Sequence, residues 1–228
     1  MMKNNKEILQ PDLHSIHNYS VDANHREIYL HSYISDAEDE PGVDYRTAVT
    51  FEKNLRYLNL LSLEPILVHM HLPGGAWLDC LGMYDAVRAS KARVIILAYA
   101  TAESSSSVLL QAAHCRILMP NTNVLIHYGF FSLDGEHSKA AVSSVNWNEQ
   151  ECDNMIDIFT DRCMNSLIYK EKKWKRMMAR KHIVSQLANK CDWILTAQEA
   201  VDYGFADGIL GTKKFPNIEY LKTYVKKI

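Results

Sequence analysis

Ser104, His127 and Asp192 supply, in chain order, a hydroxyl, an imidazole and a carboxylate, with Pro73-Gly74-Gly75 upstream. Such a set performs acyl transfer. The hydroxyl attacks a carbonyl, the imidazole takes its proton, and the carboxylate holds the imidazole tautomer. Each residue type is common, so the local setting of each decides its weight. Pro73-Gly74-Gly75 joins an apolar run to a helical one. Two glycines let backbone amides approach a ligand, and N–H groups at a helix start favour negative charge, which suits an oxyanion hole. A lone turn of this kind is more often a plain strand-to-helix connection. Ser104-Ser105-Ser106-Ser107 also sits between an apolar run and a helix, the position of a nucleophile elbow, although G-x-S-x-G is absent. Serine is equally a favoured helix cap, and four in a row leave the nucleophile open. His127 ends a third apolar run, where α/β sheets place their sites, but it is one of ten histidines. Asp192, taken alone, is an ordinary loop carboxylate.

The elements that position these residues follow from the hydrophobic pattern. Arg26–His31 reads as a first strand, and residues 43–62 have helical spacing through Val49, Leu55, Leu58 and Leu61. Pro65–Met70 is a buried strand, followed by a helix through Leu81–Val87. Arg93–Ala98 is the next strand, with a helix from Ser105 to about His114, and Asn123–His127 is a third. Alternating strands and helices with β-branched apolar strands predict parallel βαβ units covered on both faces. A long amphipathic helical region follows over roughly 136–170, then a basic helix over 171–190. Asp192–Thr196 is a strand end. Thr196 and Glu199 make a capping box for the next helix, which Gly204 stops. Asp36–Gly42 is an exposed acidic loop, and the tail from Lys213 is basic and weakly amphipathic. The division expected is an N-terminal segment over 1–25, one catalytic domain over 26–211 and a C-terminal tail over 212–228.

Composition narrows the classes. The 228 residues are 47% hydrophobic and 23% charged, enough for one sizeable α/β core. A net charge of −2 offers no electrostatic case for nucleic acid or an anionic membrane. No apolar run suits a bilayer span, and the N-terminus has no apolar secretory core. The five cysteines, Cys80, Cys115, Cys152, Cys163 and Cys191, are widely spaced without a CxxC. They read as reduced thiols of a cytoplasmic protein. His69 and His71 share one strand face and line a pocket or interface in preference to holding a metal; no metal or cofactor is expected. The order Ser-His-Asp differs from the orders of chymotrypsin, subtilisin and the α/β-hydrolases.

Four ordered motifs resemble the proteolytic subunit family of the Clp protease, ClpP. His71-Leu72-Pro73-Gly74-Gly75 is similar to the family's strand end SPGG. Ala100-Thr101-Ala102-Glu103-Ser104-Ser105 through Leu109-Leu110 is similar to GxAASMGAxLL. Met119-Pro120-Asn121 through His127 is similar to LPNSxxMIHQP, and Asp192 through Asp207 to DxFxSAxEAxxYGLID. The resemblance spans roughly 26–211, with an N-terminal part closer to the phage or prophage branch. It implies a crotonase-like stack of βαβ units with a protruding handle helix over Glu136 to about Ile168. It implies Ser104 as nucleophile, His127 as base and Asp192 as its orienting partner, with the N–H groups of Gly75 and Ser105 as oxyanion hole. It further implies self-assembly into a heptamer or a double ring of fourteen around a chamber that takes unfolded polypeptides. ATP would be consumed by a partner AAA+ unfoldase of the ClpX or ClpA type; this chain carries no G-x-x-x-x-G-K loop.

Three departures stand out. Glu103 places a carboxylate next to the nucleophile position, Ser105 replaces the family's methionine, and Tyr128-Gly129-Phe130-Phe131-Ser132 replaces a Gln-Pro and glycine-rich strand that binds substrate. Two other readings compete: a crotonase-type CoA enzyme that leaves Ser104 dispensable, and a catalytically inactive ring subunit or scaffold.

Overall fold

The computed structural model of the chain describes residues 10–31, 42–133 and 137–227. The expected acidic loop lies outside these residues except for Gly42. In chain order the elements are α1 (Leu13–Tyr19), β1 (Val21–Asp22), β2 (Glu27–His31), α2 (Tyr45–Leu61), β3 (Ile66–Leu72), α3 (Trp77–Ala89), β4 (Val94–Glu103) and α4 (Ser105–Ala112). They continue with β5 (Cys115–Leu118), β6 (Asn123–Ile126), α5 (Ser138–Cys163), α6 (Leu167–Glu171), α7 (Arg176–Lys190), β7 (Trp193–Leu195), α8 (Ala197–Asp202), β8 (Gly208–Ile209) and α9 (Ile218–Val225).

The strands form one mixed sheet whose path runs β1-β2-β3-β4-β5-β8. From β2 to β8 the neighbours are parallel, and β1 joins β2 antiparallel. Strand β4 is long enough to serve two partners. Its first half pairs β5 from Ile95 to Ala98, and its last three residues pair β6. Between them Ala100 has φ 52°, and the β3–β4 register shifts between Met70 and Leu72, so the strand bends there. The bend carries β6, with β7 antiparallel to it, away from the main sheet.

The apolar runs are continuous because both faces of the sheet are buried. Ile66, Val68 and Met70 face the larger core cluster, while Leu67 faces a smaller one with Ile95, Leu97, Phe215, Leu221 and Val225 under α9. The tail expected to be only weakly amphipathic thus forms a capped helix that covers a sheet face. Likewise α1 and β1 fold within the segment before Arg26, β1 pairing with β2.

Other elements depart from the sequence pattern for local reasons. Helix α2 is capped by Asp44, which accepts from the Thr47 N–H at 2.7 Å, and it buries Ala48, Phe51, Leu55 and Leu58, while Leu61 is exposed. Helix α4 ends at Ala112 because the chain enters β5 three residues later. That strand escaped the sequence reading: it has only four residues and contains Arg116. The long helical region is two helices, since the chain turns at Met164 and Ser166 caps α6. The Thr196–Glu199 capping box and the left-handed Gly204 after α8 form as the sequence predicts.

Candidate active site

Ser104 is delivered by the turn from β4 into α4. Its N–H donates to the Leu125 carbonyl at 2.9 Å, which ties it to the end of β6. The residue has φ 53° and ψ −130°, a backbone region that costs a non-glycine residue about 1–3 kcal/mol. This strain turns its hydroxyl out of the helix, where it makes no cap hydrogen bond. His127 leaves the end of β6. Asp192 precedes β7, and the antiparallel register Ile126↔Trp193 sets the next residues, 127 and 192, side by side. Trp193, 1% exposed, anchors that end of β7 in the core.

The result is a continuous chain of contacts. Ser104 Oγ lies 2.8 Å from His127 Nε2, and His127 Nδ1 lies 3.1 Å from Asp192 Oδ1. Residues 23 and 65 apart in sequence therefore meet end to end. With Nδ1–H donating to the carboxylate, Nε2 is left to accept the serine proton. The Asp192 side chain is 59% exposed, so its electrostatic hold on the ring is screened by water.

The neighbouring serines have other duties. Ser105 Oγ donates to the Gly75 carbonyl at 3.2 Å, Ser106 Oγ donates to the Leu72 carbonyl at 2.6 Å, and Ser107 Oγ donates to the Ser104 carbonyl at 2.6 Å. Ser104 is the one serine of the four whose Oγ reaches an imidazole. The Glu103 N–H donates to Ser106 Oγ, and the Glu103 side chain does not line the groove beside Ser104.

The Gly74-Gly75 turn faces the serine. A Cβ on Gly74, at φ 108°, would meet Ser104 Cβ at 2.6 Å and the Glu103 carbonyl oxygen at 2.8 Å. Gly75, at φ 137°, is hemmed in by the Val43 backbone. The Val43 N–H donates to the Gly74 carbonyl, and Ala76 N–H donates to the Val43 carbonyl at 2.8 Å. Strand alternation then turns the Gly75 N–H to the other side. Ser105 opens α4, so its N–H has no intrahelical acceptor.

A groove of about 970 Å³ runs past these groups. Its floor is Pro73–Leu78 with Ser104 and Ser105; the N-terminal end of α2, the Tyr128–Phe131 segment and one face of α5 wall it. Phe130, wholly exposed, stands edge-on to His127 at 6.2 Å and 87°. Sequence reasoning had no signal for several contributors. Cys80 on α3 donates its thiol to the Ser105 carbonyl, with burial pushing that thiol up to about 12. Trp77 of α3 and Trp147, Glu151 and Met155 of α5 come together at the groove, where Trp77 donates to Glu151.

His69 and His71 lie in different surroundings. His69 lies 3.1 Å from Glu27 Oε2 and 2.9 Å from the Tyr99 hydroxyl, while His71 is exposed. Among the described residues no three His, Cys, Asp or Glu side chains cluster to hold a metal. Nor is any described helix long and apolar enough to cross a membrane.

The bent sheet with its branch at β4, the strand-end serine and the 26-residue helix α5 are those of a ClpP/crotonase-like α/β protein. The fold is that of a point mutant of ClpP1 from Listeria monocytogenes, with a TM-score of 0.63 over 84% of this chain and 95% of that one, at 16% identity. The Clp protease family model matches residues 39–213, and the chain belongs to that family of peptidases. The ATP-dependent Clp protease proteolytic subunit 2 of Mycobacterium leprae is 29% identical over 178 residues, 76% of this chain and 77% of that protein. Its Streptomyces coelicolor counterpart, proteolytic subunit 2, is 27% identical over 186 residues, covering 77% and 76%. Subunit 6 from Arabidopsis thaliana chloroplasts is 28% identical over 152 residues, 65% of this chain; the chain spans about half of that protein's length, 49%.

Proposed function

We propose that the chain is a serine endopeptidase subunit acting through Ser104, His127 and Asp192. The observation that carries this is the Ser104 Oγ–His127 Nε2–Asp192 alignment, at 2.8 and 3.1 Å, while the other three serines of the run are committed to backbone carbonyls. Ser104 Oγ attacks the peptide carbonyl carbon as its proton passes to His127 Nε2, and the C=O π electrons move onto oxygen. The Gly75 and Ser105 N–H groups stabilise that oxyanion. The intermediate collapses with cleavage of the C–N bond, and the imidazolium donates its proton to the departing amine. Water, deprotonated by His127, then attacks the acyl-serine and returns the free hydroxyl. Asp192 holds Nδ1–H throughout and stabilises the imidazolium.

The relatives' names carry ATP dependence and a proteolytic-subunit role. By analogy this chain serves as the cleaving subunit of a larger machine, with ATP hydrolysed by a separate AAA+ unfoldase and unfolded polypeptide as substrate. The first half of α5, with Val142 and Val145 exposed, supports assembly through this helix into a ring or double ring around a chamber.

The test is labelling by a fluorophosphonate followed by peptide mapping, beside cleavage of a fluorogenic peptide. Ser104 takes the label, and Ser104→Ala loses about 10⁴-fold or more in kcat. Retained cleavage in Ser104→Ala overturns the assignment of Ser104, a labelled Ser104 excludes a CoA enzyme of this fold, and a chain that neither labels nor cleaves is not a peptidase.

A further inference from the structure

The groove beside Ser104 contains a charged group that the proposed chemistry does not use. Helix α5 turns one face to it, with Trp147, Glu151 and Met155 four residues apart along that face. The indole N–H of Trp77, the first residue of α3, donates to Glu151 Oε2 and fixes the carboxylate on the wall. Among the described residues no Lys, Arg or His lies within ion-pair distance of Glu151. On the opposite wall the cation Arg46 is engaged with Asp44 at 2.8 Å. The lining that α3 and α5 contribute beside Glu151 is mostly apolar, with Trp77, Leu78, Trp147 and Met155 alongside Asn148 and Cys152.

A stretch of wall with two tryptophans, a methionine and a carboxylate that no cation among the described residues pairs matches a long aliphatic stem that ends in a cation. The stem packs on the apolar side chains, and the head gains the carboxylate. A neutral substrate that covered Glu151 would desolvate an uncompensated charge; a cationic side chain removes that cost.

We propose that Glu151 is a specificity-determining residue, and that the groove selects a lysine or arginine side chain of the polypeptide near the scissile bond. The proposal rests on the peptidase reading for which bond is cut, and its test separates the two by measuring binding without catalysis.

The binding measurement uses the full chain carrying Ser104→Ala and fluorescence polarisation with labelled hexapeptides. Each pair of peptides differs only by arginine or norleucine, placed in turn at every position from three before to two after the central bond. At one position the arginine peptide binds about 10-fold tighter. Glu151→Gln, which keeps an oxygen to accept from Trp77, brings that ratio to about one, and Glu151→Lys inverts it towards a glutamate peptide. The same arginine-to-norleucine ratio appears in kcat/KM with Ser104 intact. The proposal is overturned if no arginine position binds better than norleucine, or if the preference survives in Glu151→Gln. A failed Ser104 labelling experiment with the binding preference present would instead overturn only the nucleophile assignment.

Discussion

Gly74 and Ser104 touch across the turn that ends β3, and the contact leaves room for hydrogen only. A methyl at Gly74 would press on Ser104 Cβ at 2.6 Å and on the Glu103 carbonyl, at a φ of 108° that alanine also resists. Displacing a nucleophile by about an ångström costs on the order of 10²-fold in rate. Gly74→Ala is therefore expected to lower kcat/KM by about that factor and to slow fluorophosphonate labelling in parallel, although Ser104, His127 and Asp192 are all retained. Labelling at the parent rate would show that the turn does not set the serine. At this scale much was legible beforehand. Ser104, His127 and Asp192 meet in a chain of contacts, and Gly75 and Ser105 line the groove beside Ser104, the serine that the family resemblance implied among four. Adjacency in sequence left open whether the Glu103 carboxylate faces the site; its side chain does not line the groove.

At the scale of elements, the sheet is locked to the α8–β8 corner by one guanidinium. Arg116 of β5 is buried and donates to Gln111 Oε1 at 2.9 Å, to the Gly204 carbonyl at 2.8 Å and to Asp207 at 2.6 Å. Asp207 is 32% exposed, so its ionic share is discounted. Gln111 and the Gly204 carbonyl are buried, and Arg116→Met would leave both short of a donor, a loss of about 2–4 kcal/mol. For a chain of this length the expected fall in Tm is about 5–10 °C by differential scanning fluorimetry. A change under 2 °C would mean that the corner holds without it. This arginine also explains why β5 went unread: a charge in a four-residue apolar run contradicts the strand pattern until its partner, 91 residues away, is known.

At the scale of the whole molecule, Glu27 joins the two ends of the chain. Lys222 of α9 donates to Glu27 Oε1 at 2.6 Å, and His69 and Tyr29 meet its other oxygen at 3.1 Å each. Burial alone would raise this carboxyl. The hydrogen bonds from His69 and Lys222, with their charges, overcome that and hold it down at about 2 instead of 4.5. A folded pKa below the unfolded one adds stability that is complete above about 4.5 and is lost as pH falls towards about 2. In urea unfolding at pH 7 and pH 3, the parent chain is expected to lose more stability on acidification than Glu27→Gln does. Equal losses in the two proteins would refute the role assigned to this cluster.

Local information determined the element types and the chemistry available to them. Apolar runs at Ile66–Val68 and Val94–Ala98 demand a sheet covered on both faces, Thr196 and Glu199 start a helix, and a serine run at a strand-to-helix turn offers hydroxyls without saying which one acts. What only the tertiary structure decided depends on residues far apart in sequence. The bend at Ala100 lets one strand serve two partners, and the β6–β7 register sets His127 beside Asp192. The tertiary fold brings Trp77 of α3 and Glu151 of α5 together at the groove. Periodicity records which face of each element is buried, but it holds nothing about which buried faces meet. That choice is made by the packing of the entire core, and with it the shape and charge of the groove that a substrate would encounter.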